Sequence, residues 1–158
     1  WTLSRGLGDV YKRQSLVRIH GAFPGIRKWH DDTAKQLQLE GTLTTPLGRR
    51  RQFWGRLDEA TTLRKAIAYV PQSTIGDLLN VGLYRVWDEL KDDKVEILGQ
   101  VHDAILGQFP IGKEAEIIPK ILARMKNPMQ VNGREMIIPS DCETGLDWKH
   151  MKKWKPHE

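Results

Sequence analysis

Residues 95–109 read V-E-I-L-G-Q-V-H-D-A-I-L-G-Q-F, two apolar runs of strand length joined only by His102 and Asp103. Such a join makes a tight antiparallel hairpin. Two-residue turns favour Asn-Gly, Asp-Gly or Gly-Gly, because their central residues need positive φ. His-Asp meets that need poorly. A carboxylate that local turn chemistry would not select, placed at the tip of an otherwise sound hairpin, points to a residue kept for its chemistry, and Asp103 is read as a metal ligand. Asp is also an ordinary turn residue that bonds its own backbone, so hairpin geometry alone leaves the purely structural alternative open.

The surroundings of the hairpin carry a resemblance. Gln100 followed by V-H-D-A-I-L-G-Q-F-P at 101–110 resembles the third catalytic motif of family A DNA polymerases, whose usual form is Q-V-H-D-E before an apolar strand. Upstream, F-P-G-I-R-K-W at 23–29 resembles a helix that opens Y-P-G-V, and T-L-T-T-P-L-G-R-R-R at 42–51 resembles a T-L-x-G-R-R element. R-K-A-I-A-Y-V-P-Q-S-T-I-G-D-L-L at 64–79 resembles R-A-A-I-N-A-P-x-Q-G-T-A-A-D-I-I, and G-L-D-W at 145–148 resembles a closing G-x-N-W. The elements keep the family's order over roughly residues 20–150.

The resemblance implies an α+β fold, a polymerase palm fragment in which helices, some from the adjoining fingers, pack a small antiparallel sheet. It implies DNA-directed DNA synthesis by two-metal nucleotidyl transfer, with Mg²⁺ held by a few carboxylates. Asp103 matches the principal metal ligand and His102 the motif's His, close to the primer terminus. Gln72 matches a Gln on the minor-groove side of the primer-template, and Arg64 a duplex contact. Arg49, Arg50 and Arg51 follow a Gly turn and can neutralise phosphates. The implied partners are primer-template DNA and deoxynucleoside triphosphates, with no membrane and with a monomer expected.

Two parts of the family pattern are missing from this sequence: the D-Y-S…E-L-R motif that holds the partner carboxylate, and the nucleotide-binding helix with its Arg, Lys and Tyr. Asp31 and Asp32 sit in a polar helical stretch, and Asp92 and Asp93 read as a solvated loop. The chain is therefore expected to be inactive alone. Ala104 stands where the motif has Glu, and Ala68 where R-A-A-I-N has Asn. The P-Q-S-T-I-G-D wording leans toward phage-type members. Two other readings stay open. One is a catalytically silent duplex-binding module; the other is a metal-dependent nuclease, which needs Asp31, Asp77 or Asp141 beside Asp103.

Composition agrees without deciding. The chain has 158 residues, one domain's worth, with 25 Lys and Arg against 20 Asp and Glu, a formal charge of +5. Cys142 is the only cysteine, which excludes an internal disulfide and a zinc cluster of cysteines. No apolar run nears the roughly 20 residues of a membrane span, so an intracellular protein is expected, in a bacterial host's cytoplasm if phage-encoded. Residue 1 is Trp, and L-S-R-G-L-G-D-V-Y-K-R-Q at 3–14 resembles a translated sequencing-adapter remnant, so residues 1–14 are read as non-native and 15–158 as the C-terminal part of a polymerase domain. Without Arg5, Lys12, Arg13 and Asp9 the net charge drops from +5 to +3, and the nucleic-acid reading rests on motifs.

Periodicity predicts the remaining elements. Pro24 and Gly25 open a helix of about four turns ending near Gly41, with Ile26, Trp29, Ala34 and Leu37 inward. A strand through Leu43 and Thr44 turns at Pro46–Gly48 and returns over Arg49–Phe53. A helix from Leu57 is expected to end before Pro71. The next starts at a capping-box-like Thr74 and Asp77, with Gln72 just ahead of its N-cap, and buries Ile75, Leu78, Leu79, Gly82, Leu83, Val86 and Leu90. Ala115, Ile118, Ile121, Leu122 and Met125 mark another helix, stopped by Asn127 and Pro128. A strand over Met136–Ile138 and a basic helix from Leu146 complete the expectation.

Overall fold

A computed structural model describes residues 14–155, so the N-terminal segment read as non-native lies, but for its last residue, outside them. The chain forms two compact units, Trp1–Thr44 with Arg50–Val70, and Thr45–Arg49 with Pro71–Glu158. In the first unit a helix through residues 14–22 (α1), which periodicity did not suggest, precedes α2, Pro24–Glu40. Proline opens α2 where its missing N–H costs nothing. Gly41 closes it at φ 63, donating its N–H to the carbonyl of Leu37.

Strands β1 (Thr42–Thr44) and β2 (Arg50–Gln52) then pair antiparallel, Leu43 opposite Arg51. The core of this unit is Leu37, Leu43, Phe53, Ala66 and Tyr69, with Leu57 and Val70 packed against it. The rings of Phe53 and Tyr69 meet edge to face at 6.0 Å. Of the residues expected inward on α2, Leu37 is buried, while Ile26, Trp29 and Ala34 are half-buried. Leu37 and Leu43 are almost fully withdrawn from water, each worth about 1.5–3 kcal/mol of hydrophobic stabilisation.

Helix α3 runs Ala60–Glu89 without interruption, and its residues from Pro71 onward belong to the second unit. There follow a 3₁₀ turn Lys91–Asp93, β3 (Glu96–Val101), β4 (Ala104–Gln108), α4 (Glu114–Met125), β5 (Met129–Val131), β6 (Arg134–Met136), β7 (Glu143–Thr144), a 3₁₀ turn Trp148–His150 and β8 (Lys152–Lys153). Every sheet among the described residues is an antiparallel pair. Leu79 and Val86 of α3 and Leu90 just after it are buried, as are Ile117 and Ile118 of α4 and Met129. Within this unit Arg85 Nη1 donates to the Asn127 side chain at 3.0 Å and to the Arg124 carbonyl at 3.3 Å, and the Asn127 amide donates to the Leu78 carbonyl at 3.2 Å. Gly82 lies close to them: a Cβ there would stand 2.7 Å from the Met125 sulfur, at the flexible end of a side chain that would have to shift.

The α+β class holds, while several local expectations do not. Pro71 does not end a helix. It lies inside α3, where its ring removes one backbone bond to residue 67, and the helix persists because buried residues flank it, Ala66 and Tyr69 before and Thr74 and Leu79 after. Thr74 is thus a buried mid-helix residue rather than a cap, and Gln72 sits within the helix rather than ahead of an N-cap. Ile75 is exposed. The strand expected at 136–138 ends at Met136 and is the second arm of a hairpin whose turn is Asn132-Gly133. Among the described residues no α-helix follows Leu146: Asp147 accepts from the backbone of Lys149 and His150 to make a 3₁₀ turn, and Lys152–Lys153 pairs back on Glu143–Thr144. The lysines there lack the apolar spacing that would hold a helix face against a core.

Candidate active site and nucleic-acid interface

The hairpin of β3 and β4 forms as read, with Val101 opposite Ala104 and only His102 and Asp103 between. His102 has φ 54, so this turn places a ring-bearing residue in the left-handed region, where non-glycine residues are uncommon. The pairing slips between Ile97 and Gly99, a bulge that bends one arm behind the tip. Gly107 permits the close approach there, since a Cβ would meet the Glu96 carbonyl at 3.0 Å.

No residue of either strand is fully buried. Their half-covered apolar side chains, with those of α3 and α4 and residues 138–143, wall a groove of about 610 Å³ whose lining includes Asp103. The Asp103 carboxylate is exposed and has no hydrogen bond or ion pair among the described residues. A free, hard oxygen donor beside an open groove has the chemistry of a Mg²⁺ ligand.

It is one ligand rather than a whole site. Among the described residues no three His, Cys, Asp or Glu side chains gather closely enough to hold a metal. Of the three carboxylates any one of which a nuclease could use beside Asp103, two are ion-paired: Asp77 with Arg49, and Asp141, which lines the same groove, with Lys153 at 2.7 Å. The Lys153 ammonium holds the Asp141 carboxyl below the usual carboxylate range, and Asp141 in turn raises Lys153. Asp93, read as solvated, instead accepts from Lys120 at 2.8 Å. Cys142 and Glu143 also line the groove, and partial burial pushes the Cys142 thiol up, away from the reactive thiolate.

The residues expected to meet DNA fall in both units. In the first, Arg64 is exposed on α3, its Nε donating to the Ala60 carbonyl one turn back at 3.2 Å, and Arg50 is exposed on β2. In the second, Gln72 is exposed one residue after Pro71, with no partner among the described residues, and His102 is exposed at the hairpin tip. Arg49 is committed to Asp77. Sequence reading missed this partner because Asp77 looked like a capping residue. It also missed the ring contact of Arg51, whose guanidinium carbon lies 4.9 Å from the centroid of Phe53, although the i, i+2 spacing of R-Q-F signals a shared face.

Comparison with known proteins agrees with the ordered motifs. The family model described as DNA polymerase family A matches residues 13–150. The chain is 26% identical over 160 residues to a thermostable DNA polymerase I of Thermus filiformis, covering 96% of this chain and 19% of that protein. It is 29% identical over 155 residues to DNA polymerase I of Chloroflexus aurantiacus, covering 92% and 16%. Among solved structures, the POL domain of Pol1 from M. smegmatis, in complex with DNA primer-template and dNTP, superposes with a TM-score of 0.64 at 25% identity, over 72% of this chain and 21% of that one. The chain spans less than a fifth of the length of these two relatives. With most of its residues matched by the family model, this chain belongs to DNA polymerase family A.

Proposed function

We propose that the chain is the C-terminal part of the polymerase domain of a DNA-directed DNA polymerase, with residues 15–158 forming palm and adjoining finger elements, and that it serves phage or phage-like DNA replication inside the cell. The observation that carries the reading is the unpartnered Asp103 carboxylate on a two-residue turn, facing a groove, in a chain of this family. Asp103 supplies one ligand of a magnesium pair. Such ions, when bound, stabilise charge on the attacking and leaving oxygens of nucleotidyl transfer. His102 lies beside the primer end, and Gln72, Arg64 and Arg50 contact the primer-template. Deoxynucleoside triphosphates are the substrates.

Because no three metal-ligating side chains gather around Asp103 among the described residues, and the sequence carries neither the D-Y-S…E-L-R motif nor the nucleotide-binding helix, the chain makes no polymerase by itself. That same lack of a ligand cluster favours the second reading, a silent duplex-binding module, over a nuclease. The two are separated by grafting residues 15–158 in place of the matching C-terminal segment of the Thermus filiformis enzyme. Primer extension by the chimera, lost on Asp103→Ala while duplex binding persists, is the expected result. Extension that survives Asp103→Ala removes the metal-ligand role, and a folded chimera that binds duplex without extending it favours the module.

A further inference from the structure

Arg49, Arg50 and Arg51 are indistinguishable as a run of three cations, and their partners divide them. Arg49 Nε donates to both carboxylate oxygens of Asp77, at 2.9 and 3.0 Å, and its Nη2 closes the fork. The Asp77 side chain is only 16% exposed, so this pair is partly withdrawn from water. A guanidinium that forks onto a half-buried carboxylate has its Nε–H and an Nη2–H engaged and its charge compensated, which weakens its pull on a phosphate.

Arg51 is held differently, within the other unit. Its guanidinium carbon stands 4.9 Å from the ring centre of Phe53 and 5.5 Å from that of Tyr69, both core residues. Its register partner is the buried Leu43. Arg50 has neither kind of partner: it is exposed, with no ion pair, hydrogen bond or ring contact among the described residues.

Strand alternation explains the division, since consecutive side chains leave a strand on opposite faces. The register sets Thr44 opposite Arg50 and Thr42 opposite Gln52. The outer face of the pair therefore presents a guanidinium, two hydroxyls and an amide. Those are donors that bond phosphate oxygens without reading sequence.

We infer that Arg50 is the cation of this run that neutralises a backbone phosphate of duplex DNA, on the outer face of β1–β2 with Thr44 and Gln52, and that Arg49 and Arg51 are positioning residues. This rests on the duplex-binding reading above. The test is binding of the 158-residue chain to a fluorescein-labelled primer-template duplex, followed by anisotropy across a salt series, for wild type and for Arg49→Gln, Arg50→Gln and Arg51→Gln, which all remove the same charge. Arg50→Gln is expected to lower the slope of log K against log salt by about 0.9, one phosphate's worth, with melting temperature unchanged. Arg49→Gln and Arg51→Gln are expected to keep the slope and to lower the melting temperature by about 2–4 °C. An Arg50 variant with the wild-type slope, or an Arg49 or Arg51 variant that loses the same step, overturns the inference while leaving duplex binding intact. A wild-type chain without salt-dependent binding overturns the duplex reading as well.

Discussion

Two hairpins of the second unit have turns of equal length and opposite logic. The β5–β6 hairpin turns on Asn132 and Gly133, at φ 51 and 75, with the residues that this backbone prefers. The β3–β4 hairpin turns on His102 and Asp103, with His102 at φ 54, and neither residue is what a bare turn would select. One arm of the first hairpin begins at the buried Met129, whereas the second has no fully buried residue and borders the groove. A turn whose residues match its backbone is explained by folding alone. A turn whose residues mismatch it asks for another reason, and the free Asp103 carboxylate supplies one.

The comparison can be broken most forcefully through function. In the chimeric polymerase, Asp103→Asn should reduce nucleotide incorporation by about a thousandfold or more, measured by single-turnover extension, whereas Asn132→Ala should leave it near wild type. Equal losses from the two turns would erase the distinction. On stability the order reverses. Gly133→Val places a β-branched residue at φ 75 and should cost about 1–3 kcal/mol in urea unfolding without altering duplex affinity.

Replacing His102-Asp103 by Asn-Gly should raise stability by up to about 1 kcal/mol while removing the proposed metal ligand. A stability loss in that double variant would mean that the two side chains support the fold after all.

The smallest effect concerns a third pairing, β7–β8, closed by ion pairing beside the strands. Asp141 is held below the ordinary carboxylate range by Lys153, so its contribution is complete above the unfolded carboxylate pKa and is lost as pH falls through the lower folded value. Lys153 is raised, so its contribution is complete below the unfolded lysine pKa and is lost as pH rises through the higher folded value. Amide exchange in 143–153 should therefore quicken slightly at both extremes, after correction for intrinsic rates, and Asp141→Asn should flatten the acid side.

Where local pattern and local physics coincide, the residues are legible without coordinates. Apolar runs on either side of His102 and Asp103 announce their hairpin, Pro24 and Gly41 bracket α2, and the apolar spacing from Leu78 to Val86 marks the inward face of α3. Asn132-Gly133 carried an equally plain hairpin signal that the reading of a single strand near Met136 overlooked. Other features have no local trace. Proline argues for a break at residue 71, yet buried neighbours on both sides keep α3 continuous, and the lysines near the C-terminus give no sign that Lys152–Lys153 will return to Glu143–Thr144.

The sequence by itself determined the α+β class, the hairpin and its odd carboxylate, and the ordered motifs of the family, because strand alternation, helix periodicity and turn chemistry act over a few neighbouring residues. Only the tertiary structure decided that Asp103 is free while Asp77 and Asp141 are engaged, and that Arg49, Arg50 and Arg51 have three different surroundings. An ion pair or a cation over a ring joins residues far apart in sequence, and the identity of such a partner is written in the fold rather than in the neighbouring residues.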